Sequence, residues 1–113
     1  MERSEELVQP FGVEVSQRDG VQHLRLQGEL DMASAPALKE QLHSLPHGNR
    51  QLIIDLRGLT FLDSTGLSTL LGAHVAGGDG QHAVSFIRGE PSVHKVFEIT
   101  RTDGTVVWVD PPN

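Results

Sequence analysis

Apolar and polar positions follow two different periods along this chain. Phe11 to Ser16 alternates residue by residue, and Val21 to Glu29 sets Leu24 and Leu26 against His23 and Arg25, the period of a half-buried strand. The intervening Arg18-Asp19-Gly20 has turn chemistry, so the two runs predict an antiparallel hairpin. From Ser34, with Pro36 in the first turn, Leu38, Leu42 and Leu45 take a helical spacing that Pro46 and Gly48 end. Leu52-Ile53-Ile54 is a short unbroken apolar run, which predicts a central strand covered on both faces.

A buried-looking strand and turn, Leu59 to Leu62, then lead into Asp63-Ser64-Thr65-Gly66. Leu67, Leu70, Leu71 and His74 fall at i, i+3, i+4 and i+7, predicting a helix from Ser64 to Ala76 that stops at Gly77-Gly78-Asp79-Gly80. Ala83 to Arg88 reads as a strand, Pro91 to Ile99 as a short helix opened by its proline, and Thr105 to Val109 as a last strand. A hairpin followed by alternating strands and helices predicts an α/β domain with a mixed, mostly parallel sheet of about five strands.

Composition narrows the function. The chain has 113 residues, 37% of them hydrophobic, enough for one domain with a single core. That core is expected over residues 11–109, with loose ends at 1–10 and 110–113. The 15 acidic residues outnumber the 9 lysines and arginines, for a formal net charge of -6. With no basic run, nucleic acid and anionic membrane are not expected partners. Cysteine is absent, which excludes thiol chemistry, disulfides and Cys-ligated zinc. The N-terminal MERSEELVQP has neither a signal-peptide core nor a membrane span, so a soluble cytoplasmic protein is expected.

Three apparent chemical motifs fail. Ser92-Val93-His94-Lys95 fits the S-x-x-K pattern of acyl-enzymes, but the S-D-N and K-T-G partners are missing. His43 and His47 have the i, i+4 spacing of metal ligands, but Pro46 interrupts the helical face between them. Ser64 lacks the glycine two residues earlier that a nucleophile elbow needs, that position being Leu62. No catalytic residue, cofactor or metal is therefore expected.

Ser64 itself has two readings. As a serine at the start of a helix it is an N-cap, its hydroxyl accepting a backbone N–H. The same place, with free amides and the positive end of the helix dipole, suits a phosphate. Gly66 either keeps the approach to Ser64 open or packs closely. Asp63 and Asp31 are the acids expected to flank the site, with turn formation and helix capping as their structural alternatives.

The segments Gly28-Glu29-Leu30-Asp31, then Leu52-Ile53-Ile54-Asp55-Leu56, then Phe61-Leu62-Asp63-Ser64-Thr65-Gly66-Leu67 together resemble the STAS domain of bacterial anti-sigma factor antagonists. The helix Pro91-Ser92-Val93-His94-Lys95-Val96-Phe97 fits the same family, and the resemblance runs from Phe11 to Val109. The chain departs from it at Val109-Asp110-Pro111-Pro112-Asn113, where two prolines oppose the acidic terminal helix of many members.

The resemblance implies a partner-switching protein and not an enzyme. The unphosphorylated form would bind an anti-sigma factor that is also a serine kinase, freeing a sigma factor. Phosphorylation of Ser64 would end that binding, and a serine phosphatase would restore it. Asp31, Asp63, Ser64, Thr65 and Gly66 would form the contact. Two alternatives remain: a STAS scaffold or binding module of a transporter or stressosome-like complex without phosphorylation, and a receiver domain phosphorylated on Asp55. Against the receiver, Phe11 to Gln17 ends without an acidic pair and Thr105 to Asp110 holds no lysine.

Overall fold

The computed structural model describes residues 10–45, 50–78 and 82–112. Among them the chain runs β1 (Gly12–Arg18), β2 (Val21–Leu30), α1 (Ala35–His43), β3 (Arg50–Leu62), α2 (Ser64–Gly78), β4 (His82–Ile87) and α3 (Pro91–Ile99). The sheet order is β1-β2-β3-β4. β1 and β2 form the antiparallel hairpin, turning through Asp19 and Gly20 at φ 53° and 80°, as a two-residue turn with both central residues left-handed requires. The β2–β3 and β3–β4 pairs are parallel. Pro46, His47, Gly48, Asp79 and Gly80, which include the expected helix ends and one histidine of the His43–His47 pair, lie outside the described residues.

One face of the sheet carries the core. Leu24, Leu26, Ile54, Leu56, Leu59 and Phe86 are fully buried, in one cluster with Leu38 of α1, Leu70 of α2 and Phe97 of α3. The other face is open: Arg25, Gln27, Gln51, Arg57 and Thr60 are exposed and Ile53 is only half-buried. The expectation that the central strand is covered on both faces is therefore corrected. All three helices share one layer, so an unbroken apolar run here marks the middle of a one-sided sheet.

β3 is also longer than its apolar run. Two register shifts against β2, after Arg25 and after Gly28, each place an extra residue on β3. The buried residues of the second half, Leu56, Leu59 and Leu62, consequently fall three apart instead of two. Gly28 sits at the second shift with φ 83°, a conformation that L side chains rarely adopt.

The expected fifth strand, Thr105 to Val109, is a single bridge between Phe86 and Trp108. The Phe86 amide donates to the Val107 carbonyl and the Val109 amide to the Phe86 carbonyl, at 2.8 and 2.9 Å. The segment is held by the indole, whose ring lies 5.0 to 6.0 Å from the rings of His94, Phe97 and Phe86. Pro111 and Pro112 have no N–H with which to extend a ladder.

Candidate functional site

The ends of β2 and β3 bring the two acidic motifs together. Asp63 Oδ1 accepts the Gly66 amide at 2.8 Å, and the Asp63 carbonyl accepts the Leu67 amide at 2.9 Å. These are the bonds of an N-cap to its helix. The other carboxylate oxygen, Oδ2, accepts the Met32 amide at 3.1 Å. Asp63 thus caps α2 and fastens the loop after β2 to it.

The N-cap expectation for Ser64 is corrected accordingly. Serine and aspartate cap about equally well, and since they adjoin here only the helix start decides between them. Ser64 is the first residue of α2 and is exposed. Among the described residues its hydroxyl has no hydrogen-bond partner. Thr65 beside it is exposed too, and its carbonyl accepts the Thr69 hydroxyl at 3.1 Å.

Gly66 is a packing glycine. A Cβ placed there would lie 2.7 Å from the Leu30 carbonyl oxygen, 2.8 Å from Leu30 Cγ and 2.9 Å from Leu62 Cδ1. Its missing side chain lets α2 start against the end of β2, and the residue faces inward, away from any approaching partner.

Asp31 is engaged in its own loop. Its Oδ1 accepts the Ala33 and Ser34 amides at 3.0 and 3.1 Å, and its carbonyl accepts the Ala35 amide at 2.8 Å. Ser34 Oγ accepts the Asp31 amide and donates to the Glu29 carbonyl, both at 2.9 Å. α1 therefore begins at Ala35 behind Ser34, with no side-chain cap bond from that serine.

Two residues of this surface were not singled out in the sequence. Met32 is 73% exposed and Phe61 47%. The signal was an apolar residue on each side of an acidic motif, hidden because Phe61 falls within a run that reads as buried. They add exposed apolar side chains next to the two acidic motifs, and a docking surface combines an apolar centre with polar groups at its edge.

Asp55 is a structural residue. It lies in the middle of β3, buried, and Arg57 holds it with Nη2 on Oδ2 at 2.7 Å and Nε on Oδ1 at 3.0 Å. Burial pushes its carboxyl up, but the hydrogen bonds of Arg57, with the charges of Arg57 and Arg25, outweigh this and hold it below the ordinary value. The receiver alternative fails on this neutralised position and on the antiparallel hairpin. Ser92 and Lys95 lie in the first turns of α3.

His94, Glu98 and Asp103 also bring ligand atoms within 4.8 Å of one another. His94 Nε2 is 3.9 Å from Glu98 Oε2, and its Nδ1 is buried without a hydrogen-bond partner. A metal on Nε2 would leave an Nδ1–H there with no acceptor, costing about 1–3 kcal/mol. The imidazole instead packs edge-on against Trp108, whose Nε1 donates to the Asp103 carbonyl at 2.8 Å.

A parallel sheet behind an N-terminal hairpin, helices on one face, and a serine raised at the start of the helix after the central strand define a STAS domain. The chain belongs to that family: the model described as "Mlab, STAS domain" matches residues 13–108. The anti-sigma-B factor antagonist of Staphylococcus aureus is 27% identical over 91 residues, 80% of this chain and 84% of that protein. Its Bacillus subtilis counterpart is 37% identical over 62 residues, 55% and 57% of the two chains. A crystal structure of an anti-sigma factor antagonist from Mycobacterium paratuberculosis superposes with a TM-score of 0.75 at 28% identity, over 91% of this chain and 87% of that one. Unphosphorylated SpoIIAA shares the fold, with a TM-score of 0.66 at 21% identity over 92% and 90%.

Proposed function

We propose that this protein is an anti-sigma factor antagonist of the cytoplasm. Unphosphorylated, it binds an anti-sigma factor that is also a serine kinase, and phosphorylation of Ser64 ends the complex until a serine phosphatase reverses it. The observation that carries this reading is the free, exposed hydroxyl of Ser64 at the start of α2, with Asp63 doing the capping. A serine needed as a cap would be tied up in folding; this one is not. The partner surface is Asp31, Asp63, Ser64 and Thr65 with Met32 and Phe61. Gly66 serves it from behind.

A phosphate on Ser64 adds about -1.5 to -2 charges, taking the net charge from -6 to about -8. The amides at the helix start hold that charge, so the effect falls on the interface and the fold stays. At about 6 Å from an acidic partner group, each unit charge pair costs ~0.7 kcal/mol in water-like surroundings and ~3 kcal/mol at an effective dielectric of 20. Two charges then weaken binding by roughly ten-fold to about ten-thousand-fold.

The test is phosphosite mapping of the protein from its own cells, with pull-down of the partner by the wild type, Ser64→Ala and Ser64→Asp. Phosphate on Ser64 and partner lost only by Ser64→Asp are expected. Equal binding by both variants would sink the switch. It would favour the second reading, a STAS binding module without a phosphorylation cycle. Neither reading makes the protein an enzyme: the relatives are named as antagonists. Among the described residues no helix is long and apolar enough to cross a membrane.

A further inference from the structure

Helices α1 and α2 border an open depression of about 440 Å³, lined by Lys39, Ser64, Thr65, Ser68 and Thr69. Four of the five linings carry hydroxyls, and the fifth is a cation. Lys39 is exposed and forms no ion pair among the described residues. A lysine with no carboxylate partner among the described residues, in a chain of net charge -6, thus lines the same depression as Ser64 and Ser68, two exposed serines whose hydroxyls form no hydrogen bond among the described residues.

The helix start is prepared on the same side. Asp63 takes the Gly66 amide with its carboxylate and the Leu67 amide with its carbonyl, leaving the Ser64 and Thr65 amides for another acceptor. An anion fixed to Ser64 Oγ would have these amides beneath it, the Ser68 hydroxyl one helical turn on, and the Lys39 ammonium on the facing helix.

We propose that Lys39 is the counter-charge that receives the phosphate of phosphorylated Ser64 and seats it in the depression between α1 and α2. This rests on the reading of Ser64 as the phosphorylated residue and adds how the modified state is held. Phosphorylation then changes the partner surface twice, adding an anion at Ser64 and drawing in the cation of Lys39. An acidic partner loses an attraction as well as gaining a repulsion. Asp63, next to Ser64, pushes the phosphate's ionisation the opposite way and is common to every variant compared.

The experiment uses the full chain with phosphoserine encoded at position 64, and follows the phosphate by phosphorus NMR from pH 4 to 9. A nearby ammonium favours the dianion. Relative to Lys39→Met, the unsubstituted chain should show a second phosphate pKa lower by about half a unit to one unit. Lys39→Arg should restore the shift, and 1 M salt should shrink it. Lys95→Met, on the exposed face of α3, removes the same charge elsewhere and should leave the curve in place. Superposed curves for the unsubstituted chain and Lys39→Met overturn the proposal, as does an equal shift from Lys95→Met. Because the phosphate is installed in advance, absence of phosphate on Ser64 in native cells sinks the functional reading and leaves the titration unchanged, so the two failures are distinguishable.

Discussion

Asp63 accepts the backbone amide of Met32 at 3.1 Å, across a sequence separation of 31 residues. The same carboxylate caps α2 through Gly66. One side chain thereby sets the helix that presents Ser64 and the loop that presents Met32. Asp63→Ala should cost about 1–2 kcal/mol, the range of a lost cap. Asp63→Asn should keep most of the cap, because its carbonyl can still accept from Gly66. Its NH2 would face the Met32 N–H, donor to donor, and free the loop. Urea denaturation reads the first effect, and exchange of the Met32 amide the second.

Ser64→Ala should leave stability within about 0.5 kcal/mol, the range of a surface substitution away from any cap. Ser64→Asp should hold or gain about 0.3–1 kcal/mol from a negative charge in the first turn. Equilibrium unfolding of both checks the corrected cap assignment. A loss near 1 kcal/mol in the alanine variant would return the cap to Ser64.

Gly66→Ala tests close packing against helix propensity. Alanine gains up to ~1 kcal/mol in a helix interior. Its Cβ would press on the Leu30 carbonyl oxygen at 2.7 Å, and backbone cannot give way as a side chain can. Strain of about 1–3 kcal/mol should win, seen as a lower denaturation midpoint. Stabilisation would mean that α2 moves off β2 without cost.

The Asp55–Arg57 pair sets the acid limit. Asp55 is held below its ordinary value of 3.8 in the folded chain, so its stabilisation is complete above that value and is lost as pH falls through the folded one. Arg57→Gln removes the charge that offsets burial. The carboxyl then rises, while the residue-57 amide and the Arg25 charge still act on it, so the loss of stability on acidification becomes smaller than in the wild type. At pH 7 the variant should lose about 1–2 kcal/mol, less than the 3–5 of a fully buried pair, because Arg57 is 44% exposed. Denaturation midpoints of the wild type and the variant from pH 3 to 7 compare the two slopes.

Met32→Ala and Phe61→Ala separate binding from folding. Both side chains are exposed, so stability should change by no more than about 0.5 kcal/mol. Partner affinity should fall about 5- to 30-fold for each, the range of an interface anchor worth 1–2 kcal/mol. Calorimetric titration against the anti-sigma partner measures it.

Local chemistry was legible where one residue decides one structure. Pro91 opens α3 at the expected place, and Asp19-Gly20 makes the expected turn. The hairpin follows from the alternation of Leu24 and Leu26. β3 was legible as a strand at its apolar run Leu52-Ile53-Ile54. Beyond Asp55 two bulges change the spacing of buried residues to three, which matches neither a strand nor a helix. Trp108 looked like part of a strand because β-propensity does not distinguish a ladder from an indole packed on Phe97.

The sequence by itself determined the α/β order, the hairpin, the α2 helix and the family through two acidic motifs, because periodicity and turn residues act over a few positions. Only the tertiary structure decided which of two adjoining residues caps α2 and which is left free. That choice depends on where the ends of β2 and β3 bring Met32 to the Asp63 carboxylate. It likewise decided that Gly66 faces Leu30 and not a partner, and that Lys39 shares a depression with Ser64. Such relations join residues distant along the chain, and no local pattern encodes them.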